Sequence, residues 1–308
     1  MSPSLPRVLL TGATGFIGRH LERHLLERGW RVRVLVRPQN AARARLDGRS
    51  ERHVAELTDV DALSHALADV GAVVYAAGSV RGSRYDAFRT ANVDGVEALV
   101  RALRGRDEPP PHVLLISSLA ATRPELSDYA RSKRCGEEVL RRANDLGWTI
   151  LRPPAVYGPG DRELAGLFAL IRRGVALRPG PPQQRLALLH VHDLARAVVA
   201  ALERPEACRH GCYEIDDGKP GGYDWPEIAQ AIAGRRVLEV GVPARLLRGV
   251  GEANRLAARV FRYAPMLTPG KVRELQQPRW LCDNSPFSDA TGWHPQITLE
   301  QGAASLSG

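Results

Sequence analysis

A glycine-rich turn directly after a short apolar run constrains this chain more than any other feature. Residues 8–10 are predicted to form a buried parallel strand, and residues 16–28 the helix that follows it. Between them stand Gly12, Gly15 and Gly18. A strand that turns into a helix in this way presents unpaired backbone N–H groups at the positive end of the helix dipole. The pattern therefore suits a pyrophosphate site, with an ordinary glycine turn as an equal alternative until the residues downstream are considered.

Strands and helices alternate through the first half of the chain. The further strands are predicted at 32–36, 54–57, 72–76, 113–116, 148–151 and 213–215. The further helices are predicted at 59–67, 85–104, 129–144, 164–173, 193–202 and 225–233. Such alternation is typical of an α/β doubly wound parallel sheet, the Rossmann fold. Prolines break the rhythm after residue 152, so we predict a Rossmann core over 1–152, to which 187–203 returns, and a smaller C-terminal lobe over 153–308 that mostly binds substrate.

Composition and charge narrow the class of protein. The 308 residues are 44% hydrophobic and 25% charged, and the net charge of +9 is scattered along the chain with few aromatic residues beside it. This is not the pattern of a nucleic-acid-binding face, so we expect no nucleic-acid partner. The sequence contains no apolar run of about 18 residues, so we expect no integral membrane segment. The early first strand leaves no room for a signal peptide, and the four cysteines lack a C-x-x-C pair, so we expect a cytoplasmic protein with reduced thiols and no metal.

Three side chains indicate proton-transfer chemistry. Tyr129 and Lys133 stand four residues apart, on one face of a predicted helix. A phenol with its usual pKa near 10 needs a neighbouring positive charge before it can act readily at neutral pH. Ser118, at the end of a predicted strand, is expected to hydrogen-bond the substrate oxygen that exchanges a proton with Tyr129. Lysine occurs only at positions 133, 219 and 271, which argues against Tyr129 and Lys133 being merely exposed residues of a helix.

The end of the second strand indicates which dinucleotide binds. Folds that bind NAD usually place an acid there, which holds the ribose hydroxyls. Here Val36 is followed by Arg37, whose guanidinium suits a 2′-phosphate, the alternative being a solvated arginine. We therefore expect NADP(H) in preference to NAD(H). The small residues Ala76, Ala77 and Gly78, at the end of the fourth strand, would let the cofactor lie against the backbone.

Taken together, these motifs resemble the extended short-chain dehydrogenase/reductase family, also called the NAD-dependent epimerase/dehydratase family. The likeness is carried by Thr11-Gly12-x-x-Gly15-x-x-Gly18, Asn92-Val93-x-Gly95, Ser117-Ser118, Tyr129-x-x-x-Lys133 and the segments 152–161 and 190–195. It implies that Tyr129 donates or accepts a proton, that Ser118 polarises the substrate and that Lys133 orients the nicotinamide ribose. Glu56 stands where the family usually has an adenine-binding acid. The whole predicted cofactor-binding set is Thr11, Gly12, Thr14, Gly15, Phe16, Ile17, Gly18, Arg37, Glu56, Leu57, Ala76, Ala77, Gly78, Asn92, Tyr129, Lys133 and Pro153.

Two features bear on the substrate. Sugar-nucleotide epimerases of this family usually carry an asparagine in the segment that here reads Arg152-Pro153-Pro154-Ala155. Residues 268–302 resemble the C-terminal region of hydroxysteroid-dehydrogenase-type and other lipophilic-ketone reductases. We therefore expect hydride transfer between NADP(H) and a lipophilic ketone or secondary alcohol. Two alternatives stay open, a nucleotide-sugar epimerase or dehydratase with a tightly held NAD(P) and a family member that binds the nucleotide without catalysis.

Residues 243–263 predict a basic amphipathic helix. Its apolar residues recur at helical spacing, and its five arginines lie mainly on other faces. We expect the apolar stripe to pack on the C-terminal lobe, in preference to the alternative of peripheral contact with an anionic membrane. As a protein partner, the sequence leaves open a second copy of the chain, in a homodimer.

Overall fold

The computed structural model describes residues 6–261 and 263–307. Its strands, in chain order, are β1 (Arg7–Thr11), β2 (Arg31–Val36), β3 (Glu51–Val54), β4 (Val70–Tyr75), β5 (His112–Ile116), β6 (Trp148–Arg152), β7 (Ala155–Tyr157), β8 (Val175–Arg178), β9 (Arg185–Leu186), β10 (Leu188–His190), β11 (Gly211–Glu214), β12 (Leu238–Gly241) and β13 (Arg279–Trp280). Its α-helices are α1 (Phe16–Glu27), α2 (Val60–Ala66), α3 (Asp86–Arg89), α4 (Gly95–Arg104), α5 (Asp128–Arg141), α6 (Ala165–Arg172), α7 (Val191–Glu203), α8 (Trp225–Ala233), α9 (Ala244–Phe261), α10 (Pro269–Leu275), α11 (Ser285–Thr291) and α12 (Leu299–Ala304).

Seven parallel strands form the central sheet, in the order β3-β2-β1-β4-β5-β6-β11. Strand β1 places Val8 beside Val32 of β2 and Ala72 of β4. The chain order reverses between β1 and β4, which opens a crevice at the carboxyl ends of these strands. The predicted doubly wound Rossmann sheet is thus confirmed.

Two apolar layers cover the sheet because side chains alternate along its strands. Leu10 of β1 packs into a cluster with Leu25 of α1 and Val198 of α7. Leu9, its neighbour, belongs to the opposite cluster, which includes Leu99 of α4 and Leu140 of α5. Helices on both faces bury the central strands β1, β4, β5 and β6 almost entirely, so a ligand can approach them at their ends.

A third apolar cluster forms the core of the C-terminal lobe, around Tyr157, Phe168 and Ile228. Two later segments pack with elements of the first half of the chain. Helix α7 packs against α1. Strand β11 is the edge strand of the main sheet although it follows residue 153. The boundary at 152 itself stays a prediction.

The third strand was predicted too late in the chain. It runs over Glu51–Val54 and not 54–57, because Arg33 of β2 binds Glu51 through Nε–Oε1 at 2.9 Å and through a second guanidinium contact. Only one further rung, from the Ala55 N–H to the Val36 carbonyl, continues the ladder. Residues 56–57 therefore leave the sheet and reach the crevice.

The predicted helix 85–104 is interrupted. A π-helical turn, Thr90–Asp94, separates α3 from α4. The buried Tyr75 hydroxyl donates to the Ala91 carbonyl at 2.7 Å, so that carbonyl has a partner outside the helix. Such wider turns are frequent at functional sites, and this one carries Asn92.

Helix α9 forms as predicted, but the preferred interpretation of its apolar stripe is wrong. Leu246, Val250, Leu256, Val260 and Phe261 are all exposed. A narrower side of the helix packs instead on the segment around α10, where the Asn254 amide donates to the Leu267 carbonyl at 2.8 Å. Among the described residues, no helix is long and apolar enough to cross a bilayer.

Candidate active site

A cavity of about 1380 Å³ opens at the carboxyl ends of the central strands. Its walls are the glycine turn after β1, the residues that follow β2, β4 and β5, one face of α5, and the inner surface of the C-terminal lobe. The crevice created by the sheet topology therefore continues into the lobe as a single space.

The glycine turn is shaped for close approach. Gly12 has φ +78°, and a Cβ there would lie 2.7 Å from the backbone of Ala76. A Cβ on Gly18 would overlap the Gly12 carbonyl, so helix and strand can pack only if this residue is glycine. Helix α1 begins after Gly15 with no side-chain cap, which leaves its first N–H groups for a ligand. This cradle fits the pyrophosphate of a dinucleotide.

The far end of the cavity lies beyond β2. Arg37 is exposed there and lines the cavity together with Asn40, which the sequence did not single out. Within the described part of the chain, Arg37 forms no ion pair. Glu56 and Leu57 line the same end. A basic side chain without a partner is therefore available where the sequence placed a 2′-phosphate.

Two predicted residues stand behind the wall of the cavity. The Thr11 hydroxyl is fully buried and accepts from the Ala77 N–H at 3.0 Å. Asn92 accepts from the Ser79 N–H at 3.2 Å and donates to the Ser132 hydroxyl at 2.8 Å. Both side chains thus fix the backbone that lines the cavity and are not themselves part of its lining.

Helix α5 carries the predicted catalytic pair. Ser127 caps it by accepting from the Ala130 N–H at 2.9 Å, and both Tyr129 and Lys133 line the cavity. Lys133 is 8% exposed, and its ammonium donates to the Ile116 carbonyl at 2.9 Å. Burial lowers the pKa of Lys133 to about 8, although the charge of Glu137 acts in the opposite direction.

The environment of Tyr129 differs from the expectation in one respect. Burial raises the pKa of Tyr129, while a hydrogen bond with Ser118 and the charge of Lys271 lower it. The ammonium of Lys271 lies 6.0 Å from the centroid of the Tyr129 ring. Lys271 is therefore a cation close to the phenol that the sequence did not predict.

Lys271 and its partners were missed by sequence reasoning. Lys271 lies in α10 and binds Glu274 at 2.8 Å, and Glu274 also accepts from the Ser127 hydroxyl. The segment after residue 268 is thereby tied to the first turn of the catalytic helix. The rarity of lysine in this chain was a signal that could have identified Lys271 as well as Lys133.

A buried ion pair anchors the other side of α5. Glu137 is fully buried one turn beyond Lys133 and accepts from the Ser117 hydroxyl at 2.5 Å. Its carboxylate also accepts hydrogen bonds from Nε and Nη2 of Arg152, at 2.8 and 2.5 Å. Ser117 precedes Ser118, so this carboxylate fixes the catalytic helix against the ends of β5 and β6. The sequence signal was an acid four residues after Lys133.

The lobe end of the cavity is largely apolar. Its apolar lining includes Leu164, Leu167, Leu177, Leu186, Trp225, Ile228, Val242, Leu247, Met266, Leu267 and Trp280. Several charged residues at its rim are neutralised in pairs, as when Glu252 binds Arg255 at 2.6 Å and Glu163 binds Arg81 at 2.8 Å. Apolar walls with few free charges favour an apolar ligand.

Within residues 6–261 and 263–307, no three histidine, cysteine or acidic side chains are placed to hold a metal ion. Cys135, Cys208, Cys212 and Cys282 are free thiols. Burial raises the pKa of the Cys208 thiol to about 11, which makes it a poor nucleophile at neutral pH.

Comparison with known proteins identifies the family. The sequence model of the NAD dependent epimerase/dehydratase family matches residues 8–215. The chain belongs to this family. Over 289 residues it is 36% identical to the ceramide reductase of Caulobacter vibrioides, a match that covers 92% of this chain and 88% of that protein. The 2-alkyl-3-oxoalkanoate reductase of Stenotrophomonas maltophilia is 27% identical, with 97% and 98% covered.

Solved structures agree with the family fold. The UDP-glucuronic acid 4-epimerase of Bacillus cereus, solved with UDP-glucuronic acid and NAD, superposes with a TM-score of 0.71. Its sequence is 21% identical, and the match covers 97% of each chain. At this identity the likeness concerns the fold alone. Membership of the epimerase/dehydratase family and its reductase relatives make the chain an NAD(P)-binding oxidoreductase of the extended short-chain type.

The family's predicted site residues converge in one place. Apart from Thr11 and Asn92, every predicted catalytic and cofactor-binding residue lines the cavity. Their individual roles stay predictions. Arg19, Asn40, Lys271 and Glu274 line it as well and were not predicted.

Proposed function

We propose that this protein reduces the carbonyl group of a lipophilic ketone to a secondary alcohol, with NADPH as the hydride donor. One observation carries the proposal. Tyr129 and Lys133 line the same cavity as the glycine turn and the apolar side chains of the C-terminal lobe. A carbonyl bound between the two ends would therefore lie beside both the phenol and the cofactor.

The bound dinucleotide would supply the hydride, and the chain's own residues would handle the proton. Ser118 would hold the carbonyl oxygen by a hydrogen bond, and the Tyr129 hydroxyl would donate its proton to that oxygen as charge develops on it. Lys271 would help to stabilise the phenolate that remains, because its positive charge partly offsets the rise in the Tyr129 pKa that burial causes. Lys133, anchored on the Ile116 carbonyl, would orient the ribose.

The preference for NADPH is inferred from Arg37. The guanidinium stands at the end of β2, where it could receive a 2′-phosphate through charge-assisted hydrogen bonds. NAD(H) would lack this contact, so we infer weaker binding of NAD(H).

The lipophilic character of the substrate is supported by two independent observations. The lobe end of the cavity is lined mainly by leucine, isoleucine, methionine and tryptophan. The two relatives are named as reductases of a ceramide and of an alkyl-substituted oxoalkanoate. We infer a ketone that carries at least one long alkyl chain.

Two further inferences concern the setting of the reaction. We infer that the protein works in the cytoplasm, since thiols stay reduced in that compartment and a dinucleotide cofactor is present there. A homodimer stays a prediction, for which sedimentation equilibrium is the direct measurement.

A steady-state assay tests the proposed function. NADPH absorbance should fall steadily when the enzyme is mixed with long-chain 3-oxo compounds, and Tyr129→Phe should abolish most of this decrease. UDP-glucuronic acid serves as the competing substrate. Its conversion without net NADPH consumption would replace the proposal with an epimerase, and tight NADPH binding without turnover of any compound would favour the non-catalytic alternative.

A further inference from the structure

Exposed apolar side chains are concentrated in one part of this molecule. Of the eleven large hydrophobic residues that are exposed in the described chain, nine lie in β8, β12, α9 or directly after α9. They are Leu177, Leu238, Val240, Leu246, Val250, Leu256, Val260, Phe261 and Tyr263. We call this set the apolar patch. Single exposed apolar residues are ordinary, but a contiguous group marks an interaction surface.

Helix α9 divides into three arcs. Its packed arc carries small residues such as Gly251 and Ala258, which are buried against the segment around α10. Its apolar arc faces solvent and spans about 140° at 3.6 residues per turn, from Phe261 through Val250 to Leu256. Leu246 is 58% exposed and Phe261 74% exposed on this arc. The remaining arc is charged and basic.

The charges beside the patch are nearly all positive. Residues 243–263 contain five arginines and a single acid, Glu252. Glu252 is already paired with Arg255. Arg245 and Arg248 are exposed, and neither forms an ion pair with another described residue. An exposed apolar arc beside free arginines matches an anionic lipid surface, which offers acyl chains below a layer of phosphates.

The patch is continuous with the cavity. Leu177 belongs to the patch and also lines the cavity. Val242 and Leu247, which flank the start of α9, line the cavity too. The lining of the cavity therefore reaches the exposed apolar surface at Leu177 and at the start of α9, a place that we call the cavity mouth.

We propose that the apolar patch docks on an anionic lipid bilayer, with α9 lying in the plane of the interface. The exposed arc enters the headgroup region, and Arg245 and Arg248 bind lipid phosphates. If the proposed function holds, the cavity mouth then faces the phase in which a long-chain ketone dissolves. Docking itself rests only on the patch and its charges.

A second copy of the chain is a less suitable occupant. A two-fold interface places the same surface on both sides. The unpaired arginines beside the patch would then approach one another, and like charges oppose association. A bilayer with anionic lipids removes this conflict because its phosphates neutralise the arginines.

Vesicle co-sedimentation of the full-length protein tests the proposal without requiring turnover. The protein should bind vesicles that contain phosphatidylglycerol, and it should bind pure phosphatidylcholine vesicles much more weakly. The double variant Leu246→Ser/Phe261→Ser should lower the partition coefficient more than tenfold, because two apolar side chains no longer enter the lipid. Val54→Ser is the matched control, since Val54 is 48% exposed and lies outside the patch.

The charge component has its own test. Arg245→Gln/Arg248→Gln should lower binding to anionic vesicles about twenty-five-fold, roughly fivefold for each arginine, and added salt should reduce the difference. Arg101→Gln/Arg142→Gln, at exposed positions elsewhere, should change nothing.

NADPH affinity and circular dichroism report whether each variant is folded. Equal binding of the wild type and the folded Leu246→Ser/Phe261→Ser variant would overturn the proposal. So would failure of the wild type to bind anionic vesicles. A dimer that dissociates in this variant, with no vesicle binding by the wild type, would instead assign the patch to a second copy.

Discussion

The replacement Glu137→Ala should destabilise the protein severely and also reduce catalysis. The Glu137 carboxylate is fully buried, and it is the partner that balances the guanidinium of Arg152. Arg152 is itself only 9% exposed, and its other acid, Glu214, lies 3.9 Å away and is half-buried. Removal of Glu137 leaves a buried cation without adequate compensation.

The magnitude follows from this burial. Breaking a buried pair by removing one partner typically costs about 3–5 kcal/mol. The Ser117 hydroxyl would lose its acceptor as well, which places the expected loss in the upper part of that range. The 308 residues give an unfolding entropy of about 0.65 kcal/mol/K, so the thermal midpoint should fall by roughly 6–8 °C. Because Glu137 also fixes α5 against the end of β5, kcat should fall in the protein that remains folded.

Urea unfolding monitored by circular dichroism, together with a thermal melt, measures the effect. Glu137→Leu/Arg152→Met removes both charges and should recover much of the loss. The matched control is Asp145→Asn, which breaks the exposed Arg104–Asp145 pair and should leave the midpoint almost unchanged. A Glu137→Ala variant as stable as wild type would refute the reasoning.

Three further outcomes are expected. Tyr129→Phe should lower kcat about 10²–10⁴-fold with an unchanged NADPH Kd, whereas Lys133→Ala should also weaken NADPH binding; near-normal turnover of the folded Phe variant would exclude Tyr129 as the proton donor. Arg37→Ala should raise the Kd of NADPH about tenfold to a hundredfold and leave that of NADH unchanged, and equal cofactor affinities in wild type would contradict this. Burial lowers the pKa of His190 and of His192 to about 4, so below pH 6.5 the unfolded chain binds more protons and stability should fall toward pH 4. His190→Asn/His192→Asn should flatten that decline, and an identical pH profile in the variant would show that other groups cause it.

Local sequence rules sufficed for the glycine turn and for the catalytic helix. The strand, glycine turn and helix at residues 7–27 are specified by residues adjacent in sequence, so their arrangement was predictable. Ser127, next to the start of α5 in sequence, caps that helix. The pair Tyr129 and Lys133 was predictable because a single helical period relates them.

The missed features all depend on contacts between distant segments. The register of β3 is set by Arg33 and Glu51, which lie 18 residues apart. Lys271 reaches Tyr129 from a helix more than a hundred residues later in the chain. The stripe of α9 was expected to be packed, and it is exposed. Hydrophobic periodicity shows that a helix has an apolar face, but it does not show what covers that face.

The transfer of a labelled hydride tests the central claim most directly. The enzyme would be mixed with NADPH deuterated at C4, in each of its two stereochemical forms, and with a long-chain 3-oxo compound. The account predicts that one of the two forms delivers deuterium to the carbinol carbon, with one NADPH oxidised for each alcohol formed. An alcohol without deuterium in both experiments, or a sugar nucleotide inverted with no net oxidation of NADPH, would contradict it.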